Sequence, residues 1–374
     1  MRIFNRSGTL FIGGVAASLF LIGCQSTQSS RVEEVEEAPV ASPPVEVVTE
    51  VPSEQDIVRS GDAEMRELEE DLLLRKKTGD EKARSLKAIA KRLNAKLERF
   101  PEEKEWKLSK EGRTLVLKEN SRIAFLDGIK VFLDRSLKKS GAYWSLGESD
   151  EKIILEPVFG VSATVSQVST VVIDPGHGGS QDGTKNESLG VLEKEMTLDV
   201  SLRLSEHLEK AGFKVVLTRY DDRLVGLDDR AKMANGLKAD LFVSVHFNAA
   251  LNKEAKGLET YLLTPAGEPS SSSSEPGGDV VAYPGNRFDA ANFELAYRIQ
   301  SSLLERLGRE DRGVKKARFR VLKSLDCPGV LAECGFVSNR DEGLLVSTAG
   351  YRERVAQALA DAILEYAKSS KEES

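Results

Sequence analysis

Residues 171–179, Val-Val-Ile-Asp-Pro-Gly-His-Gly-Gly, restrict what this chain can fold into more than any other stretch. A short apolar β-type run is cut off at Asp174-Pro175, because proline cannot donate to a central ladder. Gly176, Gly178 and Gly179 then allow backbone angles that a β-carbon forbids. His177 is thereby delivered into a tight bend beyond the C-terminal end of a strand, the edge where ligands of open parallel α/β sheets collect. A second run, residues 241–246 (Leu-Phe-Val-Ser-Val-His), repeats the arrangement and is followed by Asn248. Between the two histidines, Glu193 stands near the start of a helical stretch whose apolar stripe is Leu198, Leu202 and Leu208. Two imidazoles and one carboxylate form the donor set of a catalytic zinc site, with the fourth position left for water. Glu187 and Glu195 are rivals to Glu193 for the third position.

From residue 170 strand and helix alternate. Strands are predicted at 171–173, 214–218, 241–245, 258–263, 318–322 and 330–333, and helices at 194–211, 228–237, 290–307 and 351–366. This predicts an α/β domain over 168–370, a mostly parallel sheet covered by helices on both faces. A small α+β domain precedes it over 63–165. Its first part, 63–100, reads as two helices on the spacing of Leu72, Leu73, Leu86, Ile89, Leu93 and Leu97, interrupted at Gly79. Short strands follow at 114–117, 122–126, 129–133, 143–146 and 153–155, with Asp127-Gly128 as a two-residue hairpin turn. Residues 265–287, rich in Ser, Gly and Pro, read as an exposed loop.

Length and 40% hydrophobic content allow at least one sizeable core in 374 residues. The formal net charge of -7 argues against a nucleic-acid partner, since no Lys/Arg cluster is free of interleaved acids. Residues 1–23 begin with Arg2 and Arg6, run apolar over 10–22, and lead to Leu21-Ile22-Gly23-Cys24. They resemble a bacterial lipoprotein signal, which implies a lipidated Cys24 as the membrane attachment. Gln25 in place of an Asp implies retention at the outer membrane, facing the periplasm. Residues 24–62 have no periodic apolar face and read as a disordered acidic tether. Cys327 and Cys334 would lie roughly 20 Å apart along a strand, against a ceiling of about 7 Å between bridged Cα atoms, so both are expected as buried thiols.

Residues 172–179, Glu193-Lys194, Ser244-Val245-His246-Phe247-Asn248-Ala249 and residues 331–339 (Leu-Ala-Glu-Cys-Gly-Phe-Val-Ser-Asn) occur in one order. Together, over about 170–367, they resemble the zinc-dependent N-acetylmuramoyl-L-alanine amidases, a family of bacterial cell-wall hydrolases. Thr218-Arg219, Ala234-Asn235, Gly257-Leu258-Glu259-Thr260-Tyr261 and Asp311-Arg312-Gly313-Val314-Lys315 are further marks of the resemblance. It implies zinc held by His177, Glu193 and His246, Glu333 as the acid-base residue, and peptidoglycan as the substrate, cut between N-acetylmuramic acid and L-alanine. Glu193 is favoured over its rivals because Lys194 and Leu198 follow it in the expected places.

Asp174 is expected to orient His177 or to hold its loop, and Asn248 to bond the substrate or the loop. Glu259 and Arg230 are expected to be structural, and His207, on a helix with no glycine loop, to have no role. Some members of the family carry a helix that plugs the site until an activator protein removes it. Residues 265–287 hold no apolar-periodic helix suited to plugging. The segment at about 84–160 resembles the stalk domains related to the N-terminal domain of copper amine oxidases, which implies a spacer or a wall-binding element. The rival functions are a zinc peptidase, a sugar deacetylase, or a catalytically silent wall-binding lipoprotein.

Overall fold

The computed structural model describes residues 74–75, 83–160, 167–273 and 280–369. Cys24, the signal, the tether and most of the first expected helix lie outside the described residues. No helix among the described residues is long and apolar enough to cross a membrane.

The first part of the chain contains β1 (Ala83–Ser85), α1 (Leu86–Arg92), the meander β2 (Lys96–Phe100), β3 (Glu105–Lys110), β4 (Arg113–Lys118), β5 (Ile123–Leu126) and β6 (Ile129–Phe132), then β7 (Lys138–Ser140) and β8 (Tyr143–Gly147). Ser85 caps α1 by accepting from the Ala88 N–H. Asn94, at φ 50°, ends it: the Ala95 N–H returns to the Ala90 carbonyl and the Asn94 N–H to that of Lys91. The helix expected to run through Leu97 therefore stops at Arg92, and Leu97 falls in a strand. Asp127 and Gly128 both have positive φ, as a two-residue hairpin turn requires. Residues 153–155, expected as a strand, are helical and lead into Glu156–Phe159.

The second part runs β9 (Thr170–Pro175), β10 (Lys185–Asn186), β11 (Val191–Leu192), α2 (Glu193–Lys210), β12 (Lys214–Leu217), α3 (Leu227–Gly236), β13 (Leu241–Asn248), β14 (Leu258–Leu263), α4 (Asp289–Leu307), β15 (Asp311–Ala317), α5 (Arg320–Lys323), β16 (Gly329–Phe336), α6 (Arg340–Ser347) and α7 (Ala349–Ser369). The strand expected at 318–322 lies earlier, at Asp311–Ala317, where Val314 and Lys316 alternate inward. Phe319 to Lys323 instead make a helical turn that buries Val321 and Leu322. The loop after β14 is not exposed throughout. Pro265, Glu268 and Pro269 are buried, and Arg122 binds the Pro269 and Ser270 carbonyls.

One sheet runs through both parts in the order β12-β9-β13-β16-β14-β15-β6-β5-β4-β3-β2. From β12 to β16 the pairs are parallel, β14 is antiparallel to β16, and β15 is parallel to β14. The junction with the meander is the parallel β15–β6 pair at Val314 and Val131, reinforced by the Lys130 N–H on Asp311 Oδ2 at 2.7 Å. The sheet thus joins described residues on both sides of the boundary expected near residue 165.

The larger core lies on one face of this sheet. It runs from Leu108, Leu115 and Val131 in the meander to Leu262, Val330, Val243 and Val171, with α2, α4 and α7 above it. On the other face, Val172, Phe242 and Leu331 pack a smaller cluster with Ala231 of α3 and Val321 of α5. In the meander that second face carries Lys107, Val116, Lys118, Phe125, Lys130 and Phe132, none of them buried. Within the larger core, Lys316 is 1% exposed, with Nζ 2.8 Å from Asp134 Oδ1 and 3.5 Å from Asp150 Oδ1.

Candidate metal centre

The C-terminal ends of β9, β13 and β16 and the first turn of α2 meet at one edge of the sheet. β9 stops at Pro175, and His177 adopts φ 62°, a left-handed backbone that a β-branched residue would strongly resist. Two fully buried arginines hold this bend. Arg219 donates to the carbonyls of Pro175 (3.0 Å), Gly176 (2.8 Å) and Lys194 (2.7 Å), tying the bend to α2. Arg230 donates to the Pro175 and His177 carbonyls, each at 2.8 Å, and pairs with Asp174 at 2.5 Å.

Asp174 also accepts from Thr218 Oγ1 (2.5 Å) and Ser244 Oγ (2.7 Å). Its part is therefore to hold the loop through Arg230; its contacts are with those groups, not with the His177 ring. Thr218-Arg219 were visible in the sequence only as marks of a resemblance. Nothing there indicated that the arginine clamps two segments at once.

Glu193 is the first residue of α2 and is 3% exposed. Its Oε1 lies 3.1 Å from His177 Nε2 and 3.0 Å from His246 Nδ1, and accepts the Phe247 N–H at 3.1 Å. Its Oε2 accepts the Thr184 N–H at 2.7 Å. Burial alone would raise the Glu193 carboxyl, but hydrogen bonds from His177 and His246 outweigh it and hold the group below the usual carboxylate range. The rivals Glu187 and Glu195 are exposed.

The two imidazole rings meet edge to face with centroids 4.9 Å apart. One donor atom from each of His177, Glu193 and His246 lies within 4.8 Å of the others, the single such group among the described residues. An ion bound at 2.0–2.1 Å in tetrahedral geometry spaces its donors about 3.4 Å apart. The observed 3.0 and 3.1 Å are close to that spacing. Gly183 keeps the cradle open, since a β-carbon there would stand 2.6 Å from Glu193 Oε2 and 2.7 Å from His177 Cδ2.

Glu333 stands beside His246 in the β13–β16 register and opposite Glu259 of β14. The residue remains partly open to a cleft of about 480 Å³ that His177, Glu193 and His246 also line, yet its Oε2 is sealed from solvent with no hydrogen-bond partner. Burial, then repulsion from Glu193 and Glu259, pushes the Glu333 carboxyl well above the ordinary carboxylate range. Glu259 contrasts with it, because Arg312, Lys315 (2.9 Å) and Tyr261 Oη (2.5 Å) satisfy its carboxylate. Asn248 lines the cleft and reaches Glu259 Oε2 at 3.4 Å. His207 lies away from the centre, half-buried against Glu353 at 2.9 Å. Cys327 and Cys334 are free and buried.

A group of this composition could hold a metal ion, with the Glu333 carboxylate beside it and one side open to the cleft. The sequence model of the N-acetylmuramoyl-L-alanine amidases matches residues 171–365, more than half of the 374 residues. N-acetylmuramoyl-L-alanine amidase LytC of Bacillus subtilis (strain 168) is 35% identical over 198 residues, which cover 53% of this chain and 35% of LytC. N-acetylmuramoyl-L-alanine amidase AmiA of Escherichia coli (strain K12) is 30% identical over 220 residues, covering 52% of this chain and 75% of AmiA. A crystal structure of an N-acetylmuramoyl-L-alanine amidase from Clostridium difficile 630 aligns with TM-score 0.46 and 31% identity, over 55% of this chain and 99% of that one. The chain thus spans about a third of LytC, three quarters of AmiA and nearly all of the Clostridium difficile structure. On the match over residues 171–365, the chain belongs to the N-acetylmuramoyl-L-alanine amidase family.

Proposed function

We propose that this chain is a zinc-dependent amidase that hydrolyses the bond between the lactyl group of N-acetylmuramic acid and L-alanine in peptidoglycan. The observation that carries this reading is the meeting of His177, Glu193 and His246 beside the unpartnered Glu333 Oε2, inside the segment that matches the family. His177 Nε2, His246 Nδ1 and Glu193 Oε1 would hold the ion. Zinc held there would supply Lewis acidity, for activating a water at neutral pH and polarising the scissile carbonyl.

Glu333 accepts the proton from the attacking water and passes it to the leaving amine of L-alanine. Thr184 and Phe247 hold the Glu193 carboxylate in one orientation through their N–H groups, and Arg219 and Arg230 hold the His177 loop. Cys24, through the resemblance of residues 1–24 to a lipoprotein signal, would tether the enzyme to the outer membrane facing the periplasm.

The test is mass analysis of purified peptidoglycan incubated with the chain, with and without chelator. Free peptide stems, lost with chelator, support the reading. Deacetylated sugars would point to a deacetylase, cuts within the stems to a peptidase, and no product with zinc present to a silent wall-binding protein. His177→Ala and His246→Ala are each expected to lose the one zinc per chain, read by metal analysis, whereas His207→Ala keeps it.

A further inference from the structure

The sheet face that carries Glu333 does not end at the catalytic strands. His246, Glu333 and Glu259 follow one another across β13, β16 and β14, and Leu331, Tyr261 and Lys315 form the next row. Lys315 Nζ lies 5.8 Å from the Tyr261 ring centroid and 5.5 Å from that of Phe132, so the row continues into β6. From there the register places Lys130 beside Phe125, Phe125 beside Val116, and Val116 beside Lys107. The opposite face of the same strands is sealed in the core, whereas on this face Glu259 and Leu331 are buried and the other side chains named are partly exposed.

The composition of this open face departs from that of the chain. Across β2 to β6 it holds Lys96, Lys107, Lys118 and Lys130 against two acids, Glu98 and Glu105, in a protein whose net charge is -7. Lys96 pairs with Glu98 at 2.8 Å and Lys118 with Glu105 at 3.4 Å, Lys118 also lying 5.4 Å from the Phe125 ring centroid, while the Lys107 ammonium has no partner among the described residues. At about 4.8 Å per strand, the face from β16 to β3 is roughly 30 Å long. A small molecule would use a fraction of it.

Building on the reading of the site as a peptidoglycan amidase, we propose that this face is a docking track for the wall polymer. The lysines of the meander pair with stem-peptide carboxylates, and Phe125 and Phe132 offer flat apolar surface to sugar rings, so that the polymer is laid along the sheet toward Glu333. The surplus of lysine on this face and its run along the sheet toward the catalytic edge select this occupant.

The experiment is co-sedimentation of the full chain with purified peptidoglycan sacculi in chelator, where binding is read without cutting. Lys107→Glu/Lys118→Glu is expected to weaken sacculus binding at least about tenfold, since charge pairing across a contact surface is reversed at two points. Lys107→Gln/Lys118→Gln, which carries no added acid should the first pair misfold, is expected to weaken it less and in the same direction. Thermal unfolding confirms that each variant is folded. With zinc restored, the ratio of sacculus turnover to turnover of a soluble muramoyl peptide should fall with the binding.

Unchanged binding by folded variants overturns the proposal, as does equally tight binding to vesicles of anionic phospholipid, which would make the face a membrane surface. A chain that sediments with sacculi in this lysine-dependent way, yet releases no stem peptides with zinc present, would defeat the amidase reading and uphold the track.

Discussion

Two of the places where this molecule buries carboxylates beside a basic partner do opposite things with them. At the sheet edge, Glu193 sits between two imidazoles, and Glu333 is left with an oxygen that bonds to nothing. Between the meander and the helices, Lys316 stands between Asp134 and Asp150. Asp150 also accepts the N–H groups of Asp134 (2.7 Å) and Arg135 (3.1 Å), and Ser149 donates to Asp134 Oδ2 at 2.7 Å. The first cluster borders a cleft, and the second is 0–1% exposed. Burial of charge is thus no marker of catalysis by itself. What separates the two is a counter-charge: Lys316 answers both aspartates, whereas only carboxylates, Glu193 and Glu259, act on Glu333.

The comparison is broken most severely at the edge. Glu333→Gln keeps size and removes the base, so turnover is expected to drop about 10²- to 10⁴-fold with zinc content near one per chain. Glu193→Gln should instead shed zinc. A Glu333→Gln enzyme with full zinc and near-normal turnover would remove the distinction drawn here.

At the junction the expected loss is in stability. Lys316→Met leaves two buried acids without their cation, which typically costs about 3–5 kcal/mol on removal of one partner, read by denaturant unfolding. If Lys316→Met unfolds like the parent chain, the junction cluster is not a clamp.

The smallest effect is one of pH. Burial, followed by the Asp134 charge, raises Asp150 to about 7, and burial raises Asp289 likewise to about 7. A carboxyl raised in the folded state favours folding while protonated, so stability is greatest below the unfolded value of 3.8 and declines as pH rises through about 7. Asp150→Asn should flatten part of that decline in melting temperature, Asp289 keeping the rest. An equal slope in both proteins would count against Asp150.

How much of this was legible in the sequence varied with how local the signal was. The bend at Pro175-Gly176-His177 could be read because proline and glycine act on their own backbone, and the four helices expected in the second part differ from observation by a few residues at their ends, whereas the helix Arg340–Ser347 was not expected. Glu193 could not be told from Glu187 and Glu195 by chemistry alone; a resemblance favoured it, and exposure of the other two agrees. In 93–97 the spacing of Leu93 and Leu97 imitates a helix, and the Asn94 turn overrides it. The pairing of the two parts in one sheet could not be read, because the β6–β15 pair joins residues far apart in sequence, which no local pattern can announce. Lys316 did carry a signal, since it shares period-two spacing with Val314, but the strand was expected seven residues later.

The shared sheet also sets an order of events as the chain collapses. Each meander strand pairs with its immediate neighbour in sequence, so β2 to β6 can zip by short loop closures. The catalytic strands must search much further: β9 pairs with β13, β13 with β16, and β14 with both β16 and β15. A meander formed early would present the free edge of β6 as a ready template. The slowly assembled β15 would then meet a preformed partner, and the time during which its unpaired backbone invites another chain would be shortened.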